Sequence, residues 1–465
     1  MKKQTAIDQM AEKILEIKFE DMSERNLQIL KDKLLDTVGC IIGGAHVAGN
    51  QGLFRVIQAW GGAQSAPVFM FGERTTIGDA AMMNCVSCRS NDFDSMISNI
   101  DGRRFPTHIS GTSMPTALTL SDVFGLTGKE FLITSLIGED VSIRVATAGG
   151  KWDFNLGWDG SYCLPLWGAV AQMGRLYGLD AGQIKNAWGI GINLISGSIR
   201  NIYDFATAFK LGQGLAAKNA DFAVRLAQQG WNGLDDPLTG EKNFYFMYRG
   251  MDMPCNPEIL TSDFGKKFYM EESFKLFPCG IPSIPLIKSG IKLSAHGLTA
   301  SQIKSIELKL SEDFIGMYYT EPFELGPDPV VNAMYSYQFV ICVSLLRGRM
   351  KIEDYDLAAI KDPDLLAAIE KTQMTRDPNL QSGHFRIRVT TMEGEVYEDE
   401  REASFDMHLY PEHEQLVEKF WDQVNASKSI GREQAEELLV LINRVEDIED
   451  MRAITSLLLP KKSKI

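Results

Sequence analysis

Cysteine, histidine and long apolar runs are all scarce in this 465-residue chain, and each shortage excludes something. Seven scattered cysteines, an odd number, fit reduced thiols better than a disulfide frame. The close pair in Cys85-Val86-Ser87-Cys88 lacks two further ligands at zinc spacing and has no thioredoxin-like setting, so it reads as core packing. Six histidines, at positions 46, 108, 296, 384, 408 and 413, are too dispersed to build a metal site. No stretch reaches the roughly 18 apolar residues of a membrane span. The longest uncharged runs, 56–72 and 105–121, are broken by Gly, Pro, Ser and Thr. The opening Met1-Lys2-Lys3-Gln4 leads into an acidic amphipathic pattern with no secretory h-region, so a cytoplasmic protein is expected.

Basic charge is in short supply as well. Lys and Arg number 47 against 61 Asp and Glu, a formal net charge of −14. That balance argues against nucleic-acid binding, which needs a basic face. It still allows an anionic substrate, because a few cations focused in a cleft outweigh the surface around them. Familiar catalytic motifs are missing too: no Walker A loop, nucleophile-elbow serine or His-Glu-x-x-His helix occurs. Gly189-Ile190-Gly191-Ile192-Asn193-Leu194 begins like a dinucleotide fingerprint but lacks the third glycine and a preceding strand.

What is present is mostly helical. Leu27, Ile29, Leu30, Leu34, Leu35 and Val38 recur at helical spacing, and 116–124, 131–144, 166–176 and 184–194 read the same way. Ala169, Ala171, Gly174 and Gly178 supply small faces for close helix approach. Gly128 looks like a turn into a helix. The character changes near 274–284, where Pro278, Gly280 and Pro282 cluster. Beyond it Ile306, Leu308 and Leu310 alternate with polar residues, as a half-buried strand does. Phe385, Ile387, Val389 and Thr391 repeat the pattern, and Met392-Glu393-Gly394-Glu395 turns it into a hairpin. The tail returns to helix, with Leu438, Leu441, Ile442, Val445 and Ile448 on one stripe. The expectation is a mainly α protein: a large helical domain from residues 1–270 and 408–465, with a smaller α+β lid domain inserted at 271–407.

Chemistry concentrates in Asn91-Asp92-Phe93-Asp94-Ser95 and in Asp101-Gly102-Arg103-Arg104-Phe105-Pro106-Thr107-His108. Carboxylate beside imidazole is what proton transfer near neutral pH needs. A charge-balanced, solvated loop would look the same. Two lysines stand out, Lys210 before Leu211-Gly212-Gln213-Gly214 and Lys275 within Phe274-Lys275-Leu276-Phe277-Pro278. Each is either a stem snorkelling from a core face or a desolvated cation that binds carboxylate. Spacing does not separate the two.

In combination these segments resemble the MmgE/PrpD family. The resemblance rests on Leu34-Leu35-Asp36-Thr37-Val38-Gly39, Asn91-Asp92-Phe93-Asp94, Thr107-His108-Ile109-Ser110, Gly138-Glu139-Asp140-Val141 with Arg144, Gly168-Ala169-Val170-Ala171 and the stretch from Phe274 to Gly280, in family order over nearly the whole chain. It implies a cofactor-free and metal-free enzyme, usually a homodimer, with its site in a cleft between a helical domain and a lid. The implied activity is that of a lyase of the 2-methylcitrate dehydratase type on a small hydroxypolycarboxylic acid, with proton removal next to a carboxylate. Epimerases and decarboxylases of the same family, or a non-catalytic carboxylate-binding relative, are the alternatives. By position the resemblance assigns Asp92, His108, Lys210 and Lys275 to catalysis; Arg103 and Arg104, as nearby cations, suit binding of the substrate carboxylates.

The chain also departs from the family pattern. Trp158-Asp159-Gly160-Ser161-Tyr162-Cys163 stands where many members have an aromatic–His–Pro segment, which puts a carboxylate, Asp159, against the substrate and offers Tyr162 as a substitute acid. Gly280 stands near the place of a common histidine, and Phe339 in place of a tyrosine.

Overall fold

The computed structural model describes all residues except 1–3, 101–102, 107, 151–155, 240, 250–254, 313–316, 327, 404–409 and 461–465. It is mainly helical, and its buried apolar side chains fall into two clusters. The first draws on residues up to Phe274 and again from Leu416 to Leu458, so the two ends of the chain share a core. The second runs from Cys279 to Ala403, joined by Ile202 and Phe209 from the preceding segment.

Six helices of the first core frame the site: α1 (Glu24–Gly44), α2 (Ile77–Arg89), α3 (Ser110–Phe124), α4 (Gly128–Ala148), α5 (Pro165–Leu176) and α6 (Leu211–Gln228). Polar caps set their starts. Thr127 and Glu130 form a capping box at α4, and Thr76 caps α2. Small residues then let the helices meet at backbone distance. A Cβ on Gly44 would overlap the Ser87 carbonyl, and one on Gly168 the Gly138 carbonyl. The expected helices are present, although α3 begins earlier than the apolar pattern suggests and accommodates Pro115. Among the described residues no helix is long and apolar enough to cross a membrane. All seven cysteines are free thiols.

Residues 97–106 differ from the expected loop. β1 (Ile97–Ile100) and β2 (Arg103–Pro106) pair antiparallel, and β1 also pairs with β3 (Glu271–Ser273). The β1–β3 pairing joins residues some 170 positions apart in sequence, and no local pattern encodes it. The larger sheet runs in the order β5-β4-β6-β7, with β4 (Ile303–Leu310), β5 (Thr372–Arg376), β6 (His384–Thr391) and β7 (Val396–Glu402). β4 and β5 are parallel, and β6 and β7 form the expected hairpin. Helices α7 (Ile284–Ser294) and α8 (Tyr337–Arg347) pack on each other in the second core. Helix α9 (His413–Ser427) returns to α1. The tail stripe is split: a helix ends at Asn443, and Val445 follows in a separate 3-10 turn.

Candidate active site

The site grows from the end of α2. Arg89 is its last residue, and the chain then turns through Asp92, whose φ of 46° lies in the left-handed region. That conformation is uncommon for a residue with a Cβ and is held by contacts on every side. The Arg89 guanidinium pairs with Asp92 and reaches Asp94 Oδ1 at 3.5 Å. Lys275, two residues past β3, donates to Asp92 Oδ1 at 2.6 Å and to the Asp92 carbonyl at 2.9 Å. From the far end of the chain, Lys419 of α9 pairs with Asp36 and donates to the Phe93 carbonyl at 2.6 Å.

His108 precedes α3 and also has a positive φ, 51°. Its Nδ1 lies 3.4 Å from Asp94 Oδ2. Gln213, on the first turn of α6, donates to the same Asp94 oxygen at 2.9 Å and to the His108 carbonyl at 3.1 Å. Behind the imidazole, the Glu271 carboxylate accepts from the Ile109 and Ser110 amides at 2.8 and 3.0 Å, an anion at a helix N-terminus. Lys33 stands 3.3 Å from Glu139 and contacts Ser110, which places a positive charge beside the buried carboxylates. Glu271 therefore ties the His108 turn to the strand that leads into Lys275.

Burial by itself would raise Asp92 and Asp94. Arg89 and Lys275, with His108 nearby, outweigh that penalty and hold both carboxyls below their usual range. Both are thus ionised and paired. The Asp94 carboxylate stands against the His108 imidazole and fixes its orientation.

Lys210 sits one turn before Gln213 on the approach to α6. Its ammonium is buried and donates to the Ala48 carbonyl at 2.6 Å. Burial lowers it to about 8, with Asp328 pulling the other way. Phe209, next in sequence, lies under Arg89 at 5.2 Å, which links Lys210 to the Asp92 cluster. Asp159 and Tyr162 have local work. The Asp159 side chain accepts from the Ser161 amide at 2.9 Å as a helix cap, and the Tyr162 hydroxyl donates to the Ala208 carbonyl at 2.9 Å. Burial, with Asp159 adding to it, pushes Tyr162 up to about 12. Arg103 and Arg104 belong to β2, and their side chains lie outside the described residues.

Among the described residues, Asp92, Asp94 and His108 bring carboxylate and imidazole atoms within 4.8 Å of one another, as a metal would need. Arg89 and Lys275 already occupy those carboxylates, so a dication would face two positive charges at contact range. The donor set suits proton transfer better than metal binding. Arg89, Gln213, Glu271 and Lys419 were not singled out in the sequence. Arg89 had a usable signal, an arginine three residues before Asp92 at a helix end. Phe339 stacks on Tyr355 with centroids 5.7 Å apart, while Tyr335, one turn earlier, presents a hydroxyl instead.

Buried, paired carboxylates beside an imidazole are an arrangement suited to proton transfer. Residues 8–254 match the MmgE/PrpD N-terminal domain and residues 277–447 its C-terminal domain, so the chain belongs to the MmgE/PrpD family. The chain is similar to cis-aconitate decarboxylase of Homo sapiens, 24% identical over 467 residues, or 95% of this chain and 92% of that one. It is also similar to cis-aconitate decarboxylase of Mus musculus, 25% identical over 400 residues, covering 82% and 78%. A cis-aconitate decarboxylase-like protein of Aspergillus oryzae is 22% identical over 409 residues, covering 83% of each.

Proposed function

We propose that this chain is a lyase that eliminates water from a small hydroxypolycarboxylic acid, in the manner of 2-methylcitrate dehydratase, without a cofactor. The observation that carries the reading is the Asp94–His108 pair, an imidazole fixed by a buried, ionised carboxylate, with Lys210 one turn before the Gln213 that donates to the same Asp94 oxygen. Elimination begins with removal of a proton next to a carboxylate. His108 takes that proton, and Asp94 stabilises the imidazolium. Lys210, charged below about pH 8, binds the substrate carboxylate and the negative charge that develops on it. Asp92 acts through charge: it fixes Lys275 and Arg89 in the pocket wall.

Decarboxylation is the second reading, favoured by the names of the similar proteins. It uses the same cations, with loss of CO2 in place of the first proton transfer. The proposal includes a cytoplasmic homodimer in which the 271–407 segment serves as a lid, and substrate contacts from Arg103 and Arg104. Incubation with 2-methylcitrate and with cis-aconitate separates the readings. Ultraviolet absorbance of a new conjugated alkene from 2-methylcitrate supports the dehydratase, and CO2 release from cis-aconitate the decarboxylase. Solvent proton exchange without either product points to an epimerase. If neither acid is consumed, exchanges protons or raises the melting temperature, the carboxylate-site reading fails.

A further inference from the structure

The second core contributes hydroxyl groups that the steps above do not use. Tyr318, Tyr319 and Tyr335 pack edge to face and in stacks around one another, with ring centroids 4.4 to 5.9 Å apart. The charge of Asp92 reaches all three. Tyr319 fills the space in front of Gly280: a Cβ there would overlap its hydroxyl and lie 2.7 Å from Cε1. Gly280 follows Lys275 by five residues, so this hydroxyl stands at the wall that Lys275 begins. The Tyr318 and Tyr319 hydroxyls are 3.3 Å apart. Tyr319 is buried, whereas Tyr318 is only half-buried.

Tyr318 has a second kind of neighbour. Its hydroxyl feels Asp159 as well as Asp92, and its ring meets Tyr203 edge to face at 4.6 Å. The residues just beyond Tyr203, Asp204 to Thr207, line a cavity of about 550 Å³ whose other wall includes Glu321, Asp328 and Asn332. Tyr318 thus touches Tyr203, which leads into that wall, and stands within reach of the Asp92 charge. The Tyr335 hydroxyl, also buried, faces the Asp92 carboxylate.

We propose that Tyr318 is the proton donor to the leaving hydroxyl and that Tyr319, seated against Gly280, is the residue that positions it. The step rests on the lyase reading above. His108 removes the carbon-bound proton and leaves a carbanion whose charge Lys210 holds; that electron pair then becomes the new carbon–carbon double bond as the carbon–oxygen bond breaks, and His108 returns its proton to solvent. The departing oxygen takes the Tyr318 Oη proton and leaves as water. Tyr319 then donates its hydrogen bond to the Tyr318 phenolate, which is half-buried and is reprotonated from solvent. The contact works in the needed direction: burial raises Tyr318, and the Tyr319 hydroxyl partly offsets it.

The test measures elimination and carbon–hydrogen exchange in D2O separately, on 2-methylcitrate, for wild type, Tyr318→Phe, Tyr319→Phe and Gly280→Ala. Tyr318→Phe is expected to lower kcat for elimination by about 100-fold, with KM near wild type and exchange at the carbon retained. Tyr319→Phe is expected to lose about tenfold, and Gly280→Ala, which pushes Tyr319 aside, to match it. Circular dichroism melts confirm that each variant is folded. Elimination by Tyr318→Phe at the wild-type rate, or parallel loss of exchange and elimination, overturns the donor role. A Gly280→Ala variant indistinguishable from wild type overturns the positioning role. If wild type neither eliminates nor exchanges, the lyase reading falls and takes this step with it.

Discussion

Lys210 and Lys275 look alike in sequence, each a lysine among apolar and glycine residues, and the structure buries both. Their surroundings are opposite. Lys275 lies 2.6 Å from Asp92 Oδ1, inside a cluster where Arg89 and Asp94 complete the charge balance. Lys210 has a carbonyl at 2.6 Å, and Asp328 acts on it only from farther away. The first lysine is part of a wall. The second has no carboxylate at contact among the described residues, and in the proposed reaction the substrate supplies one. Burial alone does not tell the two lysines apart; the partner at contact does.

Breaking the wall has the largest expected effect. Lys275→Met leaves buried Asp92 facing Arg89 alone, and unfolding in urea is expected to show a loss of about 3–5 kcal/mol. The same pairs give an acid limb: carboxyls held below their ordinary values contribute stability that is present above the usual carboxylate range and is lost as pH falls through the lowered values. Lys210→Met should do the reverse. It removes a poorly compensated buried charge, so urea stability is retained or rises, while turnover of the active substrate falls by about 10²–10³-fold. Wild-type stability itself should rise as pH climbs above about 8, because the native state then binds fewer protons at Lys210 than the unfolded chain does.

Asp94→Asn sharpens the comparison from the imidazole side. It leaves both lysines in place but weakens the orientation of His108, and kcat is expected to fall by about 10²-fold. Asp159→Asn is the smallest change, since asparagine caps a helix nearly as well as aspartate. A thermal or urea melt is expected to shift by less than about 1 kcal/mol. A large rise in KM in that variant would assign Asp159 to the substrate instead.

Much of this architecture could be read from the sequence, because periodicity and caps are local. The β6–β7 hairpin follows from alternation and a Gly turn, and the start of α4 from the turn at Gly128. The β1–β3 sheet did not, since its pairing partners come from distant segments. The site divides the same way. Asp92 and His108 sit in one conspicuous stretch, but their partners Arg89, Gln213, Glu271 and Lys419 come from a helix end, a helix start, a short strand and the far end of the chain. Each partner is an ordinary residue in its own segment and gains a role only through a tertiary contact. The Tyr319–Gly280 fit is the same kind of fact: glycine marks a vacancy in sequence, and only the fold shows what fills it.

The pH dependence of kcat/KM in wild type and in Lys210→Met, on 2-methylcitrate or cis-aconitate, tests the contrast between the two lysines most directly. The account predicts a wild-type rate that falls as pH rises through about 8, where Lys210 loses its proton, and a residual rate in the variant with no such limb. The same descending limb in both proteins, or a wild-type rate that climbs through that range, would contradict it.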